Sequence, residues 1–262
     1  MSNTYWTDRV AKSQAAISKK TIKQIDKQMK KYYGSSMKKV IAEFENVYNK
    51  ILLQEAAGKQ ITPALLYQLD SYWQLQAQMR QELQKLGDKQ MALLSKEFEL
   101  HFFEVYYSFG IPGEEAFSTI DKAGALQLIN AIWAPDGITW SQRVWDNIER
   151  LQETLNEELI HIVASGKKTT ELKNILQDRF GVSYSRADAL VRTEVAHIQT
   201  ESAKQRYKDY GIREVEIWAD EDERRCEVCG KLHQKRYPVG ANVPVPAHPR
   251  CRCCVVPVVE TK

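Results

Sequence analysis

The sequence predicts a mainly α chain: an elongated helical body with coiled-coil-like helices, followed by a small C-terminal β module. Three observations carry that reading. Apolar residues recur three and four apart through most of the first 211 positions, the period of helices with one buried face. After Gly211 the pattern changes to alternation and β-branched runs, in Arg213-Glu-Val-Glu-Ile-Trp218 and Cys253-Cys-Val-Val-Pro-Val-Val259. All five cysteines fall between Cys226 and Cys254, inside that last segment.

The elements follow in order. A first helix carries Ile22, Ile25, Met29 and Tyr32, and Gly34 is expected to interrupt it. Ser35-Ser36 then cap a second helix whose stripe is Val40, Ile41, Phe44, Val47, Tyr48, Ile51 and Leu52, ended by Gly58. Thr62-Pro63 is a start signal for a third, with Leu65, Leu69, Tyr72, Gln76, Met79, Leu83 and Leu86 as a coiled-coil-like seam whose register breaks at Gly87. Met91, Leu94, Phe98, Phe102 and Val105 restore the stripe as far as Gly110-Ile-Pro112-Gly113. A shorter helix runs through Ile129 and Trp133, and Pro135-Asp-Gly137 marks the best boundary in the chain. Beyond it come a helix with Val144, Ile148, Leu151, Leu155 and Leu159, stopping near Gly166, and one capped by Thr169 with Leu172, Ile175, Leu176 and Phe180, closing at Gly181. A long helix begins at Ser183 and ends at Gly211. The Pro257 ring places the last strand at a sheet edge, and Tyr237 to Pro249 reads as loop or turn.

At 262 residues and 43% apolar composition the chain can bury a real core. No stretch reaches the length of apolar residues that spans a bilayer, so no membrane partner is expected. The net charge of +3 is unevenly spread: residues 1–60 carry twelve Lys and Arg against five Asp and Glu. Lys19, Lys23, Lys27, Lys30 and Lys31 fall at helical spacing on one side of the first helix. That stripe reads either as a solvated face or as a non-specific contact for DNA or an acidic partner.

Cys226-Glu-Val-Cys229-Gly230 has the shape of a zinc knuckle, since two thiolates separated by two residues across a tight turn can point at one ion. His248-Pro-Arg-Cys251 supplies an imidazole and a thiolate on one short loop, with Cys253 as a rival sulfur. Four of Cys226, Cys229, His248, Cys251 and Cys253 are expected to hold one zinc, and His233 is a weaker candidate. Free thiols or disulfides are the alternatives. The N-terminus lacks the pattern of a signal peptide, which points to a reducing compartment and to metal. A cysteine-rich shell leaves no open position, so the site reads as structural. The nearby run Asp220 to Glu223 reads as a solvated loop. Fifty residues are too few to bury a good core alone, so the β module is expected to be zinc-stapled.

Several pieces appear in a telling order: Asp136-Gly-Ile-Thr-Trp-Ser-Gln-Arg143-Val-Trp145, Gly166-Lys-Lys-Thr, Arg192-Thr-Glu194, Trp218, Asp222-Glu-Arg-Arg-Cys226-Glu-Val-Cys229 and His248-Pro-Arg-Cys251-Arg-Cys253. Over about residues 136 to 257 the chain resembles the phage Mu F-like head-morphogenesis family, minor capsid proteins of tailed phages. The resemblance implies association with portal, capsid and scaffolding proteins during head assembly, and location in the virion and, during assembly, in the host cytoplasm. It implies no enzymatic role. The expected organisation is a helical N-terminal region over 1–135, the helical part of the Mu F-like domain over 136–211, and the zinc-binding β module over 212–262.

Two further constellations are open at this level. Glu194, His197 and Glu201 fall on one helical face, as ordinary surface ion pairs do and as a second metal or acid–base set would. Arg192 and Glu194 are expected to form pairs that seat the zinc module against this helix. Arg192 with Glu214-Val-Glu216 faintly matches elements of ADP-ribosyltransferases. The alternative function is therefore a genome-delivered enzyme, either such a toxin or a metal-dependent nuclease.

Overall fold

The computed structural model describes residues 3–58, 67–68, 70–165, 169–219 and 225–259. Along them run α1 (Asn3–Ala56), α2 (Asp70–Ser108), α3 (Lys122–Ile129), α4 (Trp140–Ser165), α5 (Thr169–Asp209), β1 (Glu214–Trp218), α6 (Glu227–Leu232), β2 (Arg236–Pro238) and β3 (Cys254–Pro257). The fold is mainly α with a small antiparallel sheet at the C-terminus. The start signal Thr62-Pro63, the seam residues Leu65 and Leu69, Gly166 and the acidic run Asp220 to Glu223 lie outside the described residues.

Two expected helix breaks do not occur. α1 passes through Gly34, and α5 passes through Gly181. A glycine in a helix interior costs about 1 kcal/mol relative to alanine, and its neighbours outweigh that. Tyr33 and Ser36 beside Gly34 are buried, and the Ser36 hydroxyl donates to Glu82 Oε1 at 3.0 Å instead of capping a helix. Phe180 and Ser183 beside Gly181 are buried too, and Asn147 Nδ2 donates to the Ser183 carbonyl at 2.9 Å. Gly87 likewise stays within α2: a Cβ there would lie 2.3 Å from Trp145 Cζ3, so the glycine marks a close approach of the Trp145 ring. Trp133 stands beyond the end of α3, and α4 begins at Trp140.

The chain forms two compact units, one of residues 27–92 and 141–188, the other of 1–26, 93–140 and 189–262. The first is built from stretches of α1, α2, α4 and α5. Its core holds the expected stripes, with Phe44, Leu83, Leu86, Leu155, Leu159, Leu172 and Leu176 fully buried; each such side chain contributes about 1.5–3 kcal/mol. Leu52 lies exposed instead of completing its stripe. Gln76, the polar member of the predicted seam, donates to Asn156 Oδ1 at 2.6 Å, and the Tyr72 hydroxyl donates to the same oxygen at 3.2 Å.

The second unit joins helical stretches to the sheet, whose order is β2-β1-β3 with both pairings antiparallel. β3 is an edge strand ending at Pro257, opposite Val215, as the proline requires. β2 lies where the sequence reads as loop: Tyr237 pairs with Val215, in a strand only three residues long. α5 stops where Gly211 adopts φ 72° and the Ile212 amide returns to the Tyr207 carbonyl at 3.0 Å. Asp209, at the last turn, is buried and accepts from Ser118 Oγ at 2.7 Å, from Gln205 Nε2 at 2.9 Å and from the Tyr106 hydroxyl. The core under the sheet is shared: Val215, Ile217, Val255 and Val256 belong to one buried cluster with Val10, Ile17, Val105, Phe109 and Tyr207.

Candidate metal centre

The first arm is set by a helix cap. Cys226 occupies the N-cap of α6 in extended backbone, and its Sγ accepts the Cys229 amide at 3.4 Å. Since Cys229 stands in the first turn, the cap brings both sulfurs to the same end of the helix. The Cys229 amide holds the Cys226 thiol below its ordinary range, while burial pushes the Cys229 thiol up to about 12.

The second arm is the His248-Pro-Arg-Cys251 turn, closed by the Cys251 amide donating to the His248 carbonyl at 3.1 Å. His248 Nδ1 lies 2.9 Å from the Pro249 carbonyl oxygen, an arrangement that places the proton on Nδ1 and leaves the Nε2 lone pair for a ligand. That Nε2 stands 3.3 Å from Cys226 Sγ and 3.1 Å from Cys229 Sγ. Cys229 Sγ lies 3.8 Å from Cys251 Sγ. In a tetrahedral zinc site with Zn–S of about 2.3 Å, two sulfurs stand about 3.8 Å apart and a sulfur and a nitrogen about 3.6 Å apart, so the donors are spaced for one ion.

Two groups of ligand atoms each lie within 4.8 Å of one another: Cys226, Cys229 and His248, and Cys229, Cys251 and Cys253. Cys229 is common to both. The charge balance asks for a cation: Cys251, hydrogen-bonded by Cys253, is lowered to about 5, whereas Cys253 itself is driven far up by that neighbour and by burial. Several thiolates cannot share a buried space unaided, and a divalent ion inverts that preference. The soft sulfur and imidazole donor set, running from buried Cys229, Cys251 and Cys253 to half-buried His248 and exposed Cys226, suits a soft or borderline ion such as zinc.

The remaining sequence candidates divide. Cys254 is buried on β3, outside both groups. His233 is in neither group; its Nδ1 accepts the Ala219 amide at 3.2 Å and its ring meets Trp218 at 4.7 Å. Glu194 and His197 do not form a solvated ion-pair face. Glu194 is 1% exposed and accepts from Trp133 Nε1 at 3.0 Å, and the buried His197 ring stacks on Trp133 at 4.5 Å. Burial lowers His197 to about 3. Glu201 pairs with Lys204 at 2.9 Å. Thr193, between Arg192 and Glu194, ties the His248–Cys251 turn to α5: its Oγ1 accepts the Arg250 amide at 3.0 Å and donates to the Ala189 carbonyl at 2.7 Å. The sequence does not single out Thr193, although it is the middle of the Arg-Thr-Glu motif, and Arg250, at φ 62°, is the strained partner. Glu216 accepts from Arg236 Nε at 3.1 Å across β1 and β2. Lys19, Lys23, Lys27, Lys30 and Lys31 are all exposed on α1, while the adjacent Lys20 pairs with Glu104 at 2.7 Å.

Among the described residues no helix is long and apolar enough to cross a membrane. No curated protein and no solved structure matches the chain. Residues 153–256 match the family described as phage Mu protein F like protein, a stretch that holds Thr193 and all five candidate ligands.

Proposed function

We propose that the chain is a non-enzymatic phage head-morphogenesis protein, a minor capsid component that associates with portal, capsid and scaffolding proteins as the procapsid forms. The observation that carries this reading is the family match over residues 153–256, which ends at the last strand and takes in the whole cysteine and histidine cluster. In this reading Cys226, Cys229 and His248 hold one zinc, with Cys251 as the fourth ligand and Cys253 its rival. Bound zinc supplies folding free energy there, on the order of 10 kcal/mol at neutral pH. The exposed lysines 19, 23, 27, 30 and 31 give α1 a weak, sequence-independent hold on DNA. The protein acts in the host cytoplasm during assembly and resides in the virion. Quantitative mass spectrometry of purified procapsids and virions tests the role: the protein is expected far below capsid-protein abundance and co-purifying with portal. Its absence from both particles would refute the proposal.

A further inference from the structure

We infer that metal occupancy and the seating of the N-terminal stretch of α1 are coupled, with Gln14 as the positioning residue that links them. The inference rests on the metal reading proposed above. Gln14 is 1% exposed, and its Nε2 donates both to the Tyr207 hydroxyl at 3.0 Å and to the Val255 carbonyl at 3.2 Å. The Tyr207 hydroxyl donates to that same carbonyl at 3.1 Å. Val255 stands two residues after Cys253, so one backbone oxygen of the metal-bearing segment is held from α1 and α5 together.

Packing repeats the link. Val10 and Ile17, one turn either side of Gln14, lie in the same buried cluster as Cys229, Cys251 and Cys253. A buried amide and carbonyl that lose their partners cost free energy, so α1 cannot leave this seat without disturbing β3, nor β3 shift without exposing α1. An ion held by Cys229, Cys251 and Cys253 fixes the segment that leads into β3, and Cys253 is the nearest of them to Val255 along the chain. Coupling of this kind is reciprocal: if the ion stabilises the seat, the seat must tighten the ion by the same factor.

Hydrogen exchange on the full chain reads the first direction, with zinc content verified by elemental analysis before and after chelation. Stripping the metal is expected to raise exchange at least tenfold over residues 10–20 as well as 254–257, leaving residues 72–86 unchanged. Exchange that rises at 254–257 alone would overturn the coupling and leave the metal reading intact. Failure to retain any metal, with all cysteines alkylating alike, would overturn the metal reading itself. Competition with a chromophoric chelator reads the second direction: Gln14→Ala is expected to weaken zinc binding about tenfold, within the usual range of coupling between sites. Tyr207→Phe keeps the ring against Phe109 but removes the hydroxyl, and is expected to weaken it several-fold. Gln24→Ala, on the same helix but bonded to Glu97, serves as the control without effect. Wild-type zinc affinity in folded Gln14→Ala and Tyr207→Phe would refute the inference.

Discussion

Acid should unfold this protein through two buried histidines, and the size of the effect follows from their surroundings. His101 is fully buried, with Nδ1 at 3.1 Å from Thr21 Oγ1 and no partner for Nε2; burial lowers it to about 4. His197, stacked on Trp133, is lowered to about 3 by burial and then by Lys204, and its Nε2 also has no partner. Both are neutral when folded and titrate near 6.5 when unfolded. Between those values the unfolded chain binds more protons, so the stabilisation is complete above pH 6.5 and is lost as pH falls. At about 1.4 kcal/mol per unit, each histidine costs roughly 2 kcal/mol by pH 5, against a typical total of about 5–15 kcal/mol. The assay is urea unfolding at pH 7.5 and pH 5.0, comparing wild type with His197→Phe, which keeps a ring on Trp133. Other groups, metal ligands included, titrate alike in both proteins, so the variant is expected to lose about 2 kcal/mol less over the interval. Equal losses in the two proteins would refute the argument.

Three further outcomes are expected. Gly34→Ala, in open space on α1, should raise stability by up to about 1 kcal/mol, whereas Gly87→Ala should lower it by about 1–3 kcal/mol because of the Trp145 ring; thermal melts of both variants check the pair. Zinc content by elemental analysis should fall from one per chain in Cys226→Ser and Cys229→Ser and stay unchanged in Cys254→Ser, which lies outside both ligand groups. Replacing Lys19, Lys23, Lys27 and Lys30 with Gln should reduce the salt slope of duplex DNA binding by about 0.9 for each phosphate no longer neutralised, as measured by fluorescence anisotropy.

Gly34, Gly87 and Gly181 show what the sequence conceals. Read locally, a glycine followed by serines or by a new apolar phase is punctuation. In the fold, each is flanked by residues whose partners come from far along the chain: Ser36 reaches Glu82, Ser183 is held by Asn147, and Gly87 makes room for Trp145. Helical phase was legible because a buried face imposes its own period, so stripes such as Val144, Ile148, Leu151 and Leu155 appear in place. Continuity through a weak residue was not, since it depends on tertiary contacts. The same limit applies to Glu194 and His197, whose spacing suits a solvated face until Trp133, some sixty residues upstream, covers them.

The cysteine cluster was legible for the opposite reason, because its ligand spacing is a property of short turns. Cys226 and Cys229 converge through a single helix cap, and His248 and Cys251 through one four-residue turn, so local sequence suffices to form each arm. Meeting of the two arms is not local. The second arm is anchored by Thr193 through Arg250, and the strand that follows is held at Val255 by Gln14 and Tyr207. A segment of fifty residues lacks the apolar surface to fix that meeting by itself. Here the shortfall is met by Val10 and Ile17 of α1, Val105 of α2 and Phe109 just beyond its end. The donor cluster and the borrowed core therefore bear on the same strands, because Cys229, Cys251 and Cys253 belong to the buried cluster that holds Val255 and Val256.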